Sequence, residues 1–189
     1  MSRPPLARER VLDAYQSILI ADGERAATLE AVARDAGVSK GGLLYHFASK
    51  DDLTAGLVAR LAALTDDDLD RMSTAEDGAI AYYVRTSVME DDDLDRALIA
   101  TTRLAQGGSA AASAALRDVR MRWADAIRPH VRDETALDLV MLVSDGLYFN
   151  NSLAEPGDEQ STLSEFVPTG AALHGLIDLV VEAATRAPE

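Results

Sequence analysis

Along the chain, apolar residues recur at three- and four-residue intervals and almost never alternate with polar ones. That period predicts helices throughout, an all-α fold of about nine helices. Between Leu6 and Asp22 the stripe is Val11, Ala14, Tyr15, Ile18 and Leu19, closed by Gly23 as a left-handed cap. Thr28 then offers an N-cap to a short helix carrying Leu29, Val32, Ala33 and Ala36, with Glu30 suited to its positive end. Gly37 and Val38 break that helix, and Ser39 can cap the next. Ser49 with Asp52 three residues on reads as a capping box. It opens a fourth helix with Leu53, Leu57, Leu61 and Leu64, expected to end in the acidic run Asp66, Asp67, Asp68.

The remainder repeats the pattern. Thr74 with Asp77 is expected to open a helix carrying Ile80, Tyr83, Val84, Ser87 and Val88. Leu94 to Ala105 forms another, stopped by Gly107 and Gly108. A further helix carries Leu116, Val119, Trp123, Ala126 and Ile127 up to Pro129. Leu137 to Val143 is apolar apart from Asp138, which predicts a helix buried on most sides, and the last stripe is Leu173, Leu176, Ile177, Val180, Val181 and Ala184. Ala154 to Gln160 reads as a loop. The string DDDLDR occurs at Asp66–Arg71 and again at Asp91–Arg96, and both copies read as solvated turns between helices, because the central glycine of a calcium loop is missing.

Charge changes the picture more than composition does. Up to residue 65 there are eight basic and eight acidic residues; beyond it ten basic and 24 acidic ones carry the whole net charge of −14. Only two lysines exist, Lys40 and Lys50. A polyanion would be repelled by the acidic remainder, so it must meet the N-terminal part. The absence of cysteine and the three scattered histidines leave little for thiolate metal sites or nucleophilic catalysis, and an enzyme is not expected. No apolar run is long enough for a membrane span, and charges stand where a signal peptide needs its apolar stretch, so a soluble, cytoplasmic protein with no membrane partner is expected.

The segment from Thr28 to Leu53, TLEAVARDAGVSKGGLLYHFASKDDL, concentrates the chemistry. Two short helices joined by a Gly37–Val38 turn make a helix–turn–helix, whose second helix enters the DNA major groove. Gly41 and Gly42 stand side by side in that second helix, each costing about 1 kcal/mol against alanine. Such a cost is accepted where a side chain would block close approach to a base edge or phosphate. Lys40, Lys50, Tyr45 and His46 surround the bare surface with donors. Leu44 and Phe47 are read as anchors into the core, with Leu43 placed to reach a thymine methyl.

The small residue, Gly, Val-Ser, small residues, then Leu-Tyr-His-Phe and Ser-Lys before a leucine resemble the TetR family of bacterial one-component transcription regulators, over about Ala7 to Leu61. The resemblance implies that Ser39, Lys40, Gly41, Gly42 and Leu43 contact bases and backbone, and that Thr28, Tyr45, His46 and Lys50 contact phosphates. It implies a helix–turn–helix DNA-binding domain over residues 1–52 and a helical effector-binding and dimerisation domain over 53–189. It further implies a repressor released from a palindromic operator by a small molecule, with no cofactor. The apolar Leu137–Val143 helix and the Leu173–Ala184 stripe independently suggest a homodimer, Ala171, Ala172 and Gly175 allowing close approach; burial in their own core is the competing reading.

Candidate ligand-binding residues are the aromatic, methionine and isolated polar ones: Tyr82, Tyr83, Met89, Arg103, Met121, Trp123, Asp145, Tyr148, Phe149, Asn150 and Asn151. Asp145 stands between Val143 and Leu147 in an apolar helix, so its carboxylate needs a partner. Either a lipophilic, cationic effector or an arginine supplies it. Two other functions stay open: a constitutive DNA-binding protein without effector, and an all-helical metabolite-binding protein.

Overall fold

The computed structural model of the chain describes residues 4–88, 92–153 and 167–186. Among the described residues there are nine α-helices, one 3-10 turn and no strand. The helices are α1 (Pro4–Asp22), α2 (Leu29–Asp35), α3 (Lys40–His46), α4 (Lys50–Ser73), α5 (Ala79–Thr86), α6 (Asp93–Gln106), α7 (Ala110–Ile127), α8 (Glu134–Leu153) and α9 (Gly170–Thr185), with the 3-10 turn at Arg128–His130. None of them is long and apolar enough to cross a membrane.

Caps set most boundaries. Thr28 Oγ1 accepts from the Ala31 N–H at 3.2 Å and Ser39 Oγ from the Gly42 N–H at 3.0 Å. Ser49 Oγ accepts from the Asp52 N–H at 3.1 Å and donates to the Asp52 carboxylate at 2.9 Å. Gly37 turns the chain between α2 and α3 at φ +63°, a conformation a β-carbon disfavours.

Three expectations need correction. The first DDDLDR copy is no turn: it lies inside α4, which continues to Ser73. Thr74 does not open α5 but closes α4, its hydroxyl donating to the Asp70 carbonyl at 3.2 Å, and α5 begins after Gly78. Leu139 and Leu142 of α8 are exposed, while Leu137, Val140 and Met141 of the same helix are buried, so α8 has a covered face and a bare one. The second DDDLDR copy does open a helix, with Asp93 and Asp95 in the first turn of α6. The expected Ala154–Gln160 loop, Met89 and the side chain of Asn151 lie outside the described residues.

The chain packs as two units, one formed by residues up to Thr65 with Asp93–Val119, the other by Asp66–Asp92 with the residues from Arg120 onward. In the first, Leu12, Tyr15 and Leu19 of α1, Val32 of α2, Leu43 of α3, Leu53 and Leu57 of α4 and Leu104 of α6 share one core. Fully burying each such leucine stabilises by about 1.5–3 kcal/mol. Gly56 lets α4 come close, since a β-carbon there would lie 2.8 Å from the Phe47 ring and 3.0 Å from Leu12. Arg60 of α4 clamps α1 through Glu9 and Asp13, both at 2.7 Å. In the second unit, Met72, Ile80, Tyr83, Val84, Ile127, Leu137, Val140, Met141, Ile177 and Val180 make a separate core.

Candidate nucleic-acid interface

The face of α3 is defined by what its residues leave uncovered. Thr28, Ser39, Lys40, Gly41, Gly42 and Tyr45 are exposed; His46 and Lys50 are half-buried. Tyr45 is 80% exposed, so nothing in its own unit holds its ring except an edge contact with His46, centroids 5.0 Å apart. A β-carbon built on Gly41 meets no atom within 4 Å, so packing within the chain gives no reason for a glycine there. At Gly42 a β-carbon would press on Ser39 Oγ at 3.2 Å, so this second glycine also protects the cap.

The two leucines of α3 exchange the roles expected of them. Leu43 is 0% exposed and belongs to the core, so its side chain cannot reach a thymine methyl, whereas Leu44 is 39% exposed on the bare side. With Phe47 buried, residues i and i+4 face inward together, which puts Leu43 and not Leu44 on the anchoring side. Leu44 is thus a surface residue that sequence patterning misses, because two adjacent leucines look alike to a periodicity argument.

Neither lysine stands alone. Lys40 Nζ donates to Glu30 Oε1 at 2.6 Å, and Lys50 Nζ donates to the Glu24 carbonyl at 2.8 Å with the Glu24 carboxylate at 3.6 Å. The hydrogen bond from Lys40 holds the Glu30 carboxyl below its ordinary range. Arg8 lies over the Phe47 ring, 5.3 Å from its centroid, adding a cation near the turn after α3. This exposed, glycine-floored surface with hydroxyl, ammonium and phenol donors suits close approach to a duplex backbone.

The ligand candidates do not form one constellation. In the second unit, Tyr83 is buried against Trp123, ring centroids 5.6 Å apart, and burial followed by the charge of Asp145 pushes its hydroxyl pKa up. Asp145 itself is half-exposed rather than sealed in apolar surroundings: Arg120 donates to its Oδ2 from Nε at 3.1 Å and Nη2 at 2.7 Å. The arginine partner is therefore the one present. Met121 and Phe149 are exposed, and Tyr148 and Asn150 half-buried. Arg103, exposed, belongs to the other packing unit.

Sequence reasoning passed over Asp68 and Ser144. Asp68, only 4% exposed, accepts from Tyr82 Oη at 2.8 Å and from the Trp123 indole N–H at 2.9 Å. The buried carboxylate in need of partners that the sequence suggests at Asp145 is found instead at Asp68. The signal for it was the continuation of the stripe Leu61, Thr65, Asp68, Met72 through the acidic run. Ser144 Oγ is buried and has no hydrogen-bond partner among the described residues. No group of three or more metal-ligating side chains occurs among them.

Known proteins are similar to this chain in its N-terminal segment and in its fold. Residues 11–57 match the model of bacterial regulatory proteins of the tetR family. The HTH-type transcriptional regulator SrpR of Pseudomonas putida is 36% identical over 52 residues, 28% of this chain and 24% of that protein, so the likeness spans about a quarter of the relative's length. Two solved structures share the fold along most of both chains. SmeT in complex with triclosan superposes at a TM-score of 0.68 and 19% identity, covering 95% of this chain and 92% of that one. The multidrug-binding protein EbrR with malachite green superposes at 0.60 and 20%, covering 86% and 98%. Residues 11–57, which hold the capped helix–turn–helix, are thus similar to bacterial regulatory proteins of the tetR family, and the all-helical fold around them is shared with both solved structures.

Proposed function

We propose that the chain is a sequence-specific DNA-binding transcription regulator, a cytoplasmic homodimeric repressor that leaves a palindromic operator when a small lipophilic molecule binds. The observation carrying this reading is the α3 face: Gly41 open to solvent, flanked by exposed Lys40 and Tyr45 on a helix capped and turned for groove entry. Residues 1–52 would bind DNA, and 53–189 would bind the effector and dimerise. For dimerisation the support is the bare side of α8 and α9, where Leu142 is 65% and Leu179 62% exposed. Two copies that cover these residues present two α3 helices to successive major grooves, about 34–36 Å apart.

For the effector, the support is the interior of the second unit. Asp68 supplies a buried carboxylate, Tyr82, Tyr83 and Trp123 supply aromatic faces, and Ser144 supplies a buried hydroxyl with no hydrogen-bond partner among the described residues. This combination suits an aromatic cation. Malachite green, held by EbrR, is an aromatic cation, whereas triclosan, held by SmeT, is aromatic and lipophilic without a positive charge. Effector binding weakens DNA affinity by the coupling free energy, typically about 1–3 kcal/mol.

The test is enrichment of binding sites from a random duplex pool, followed by shift assays with the wild type, Lys40→Ala and Tyr45→Ala, with and without malachite green. The reading expects a palindromic consensus, weaker binding by both variants, and release by the dye with quenching of Trp123. An enriched consensus that no lipophilic compound releases would favour a constitutive DNA binder. No enrichment by folded protein at low salt would overturn the DNA-binding reading.

A further inference from the structure

The only two lysines of the chain occupy the first positions of helices, Lys40 in α3 and Lys50 in α4. Those are the places where the helix dipole disfavours a cation, so helix stability does not explain either residue. Each ammonium is met by a glutamate from an earlier segment: Glu30 of α2 at 2.6 Å, and Glu24 of the α1–α2 turn, whose carbonyl accepts at 2.8 Å while its carboxylate stands 3.6 Å away. Lys40 and Glu30 are both more than half exposed, and exposed pairs add little to stability. The Glu24 carboxylate is also seated against Gly107, where a β-carbon would collide with its Oε2. That places it at the α6–α7 corner of the same packing unit.

We propose that Glu30 and Glu24 are affinity-setting positioning residues: resident carboxylates that compete with DNA phosphates for Lys40 and Lys50 and hold down the electrostatic share of binding. The proposal rests on the DNA-binding reading above and explains a feature that reading leaves over, the absence of net charge in the first 65 residues. A phosphate that takes Lys40 must displace Glu30. At Lys50 the carbonyl bond can persist, and the nearby carboxylate opposes the incoming phosphate. Non-specific binding is almost wholly electrostatic, so such a head holds random duplex weakly and leaves discrimination to base contacts.

The experiment measures anisotropy of a labelled random-sequence duplex against the full-length protein as salt is raised. The proteins compared are the wild type, Glu30→Gln, Glu24→Gln and the double variant Glu30→Gln/Lys40→Ala, each checked for folding by thermal melting. Both single variants keep the lysine in place and remove only the competing charge. Each is expected to tighten binding several-fold at low salt and to steepen the slope of log K against log salt by up to about 0.9, the value for one more neutralised phosphate. The double variant is expected to lose the gain of Glu30→Gln. A purely structural role would lower affinity and leave the slope unchanged. Wild-type binding with unaltered affinity and slope in both glutamine variants, or a gain that survives Lys40→Ala, overturns the proposal and leaves the DNA-binding reading standing. No duplex binding by any folded variant at low salt overturns both.

Discussion

At Gly41 local stability and function pull apart. The position is helical, exposed and open on its β-carbon side, so Gly41→Ala should raise helix stability by roughly 0.5–1 kcal/mol. On a groove-facing surface the same methyl stands between α3 and the duplex. The expected outcome is a higher melting temperature together with weaker DNA binding, checked by calorimetry and shift assay on one preparation. A variant that gains in both would show that the bare face contacts nothing. The leucine pair beside it gives a second contrast. Leu43→Ala empties a fully buried site and should cost about 2–5 kcal/mol in urea denaturation. Leu44→Ala should stay within about 0.5 kcal/mol and show its effect, if any, on DNA. The exposure of Ser39, Lys40 and Tyr45 on α3 is legible in the sequence because caps, turn glycine and spacing agree on one α3 register. The Leu43/Leu44 inversion and the glutamate partners of the lysines are not, because they depend on which face of α3 turns inward and on side chains that meet across a turn.

Among the elements, α4 departs most from its sequence reading. Aspartates are poor helix formers, and three in a row look like an end. The helix continues because Leu69 and Met72 extend the buried stripe and because Asp68, at an inward position, receives hydrogen bonds from Tyr82 and Trp123. Removing that acceptor by Asp68→Ala strands two polar groups and should cost about 1–3 kcal/mol, read from the fluorescence of Trp123, the single tryptophan, during denaturation. The same contact has a pH signature. Burial, and then the neighbouring Asp68 carboxylate, push the Tyr82 hydroxyl up to about 12. Neutral Tyr82 therefore contributes stability that is complete below the ordinary tyrosine pKa of 10.0 and lost as pH rises from there through about 12. Tyr82→Phe should flatten the fall of stability in that window, and an unchanged alkaline profile would rule the contact out as its cause. The helix count among the described residues and the capped starts of α2, α3 and α4 are readable from periodicity and caps. The path of α4 was not, since it needs a tertiary partner to make an acidic run helical.

For the whole molecule, the acidic excess beyond residue 65 and the exposed leucines of α8 and α9 make separate demands. On the proposed reading the charge would keep duplex DNA to the N-terminal segment, and a second copy would cover the leucines. The double variant Leu142→Glu/Leu179→Glu should run as a folded monomer in analytical ultracentrifugation. It should also lose most operator affinity, because a single head forgoes the second half-site. A monomeric variant with undiminished affinity would separate dimerisation from DNA binding. The central claim, that the Ser39–Lys50 surface lies in the major groove, is tested most directly by guanine N7 methylation interference on the enriched duplex. The account predicts two patches of interference about one helical turn apart, both lost with Tyr45→Ala and Lys40→Ala. Binding that ignores N7 methylation throughout the site would contradict it.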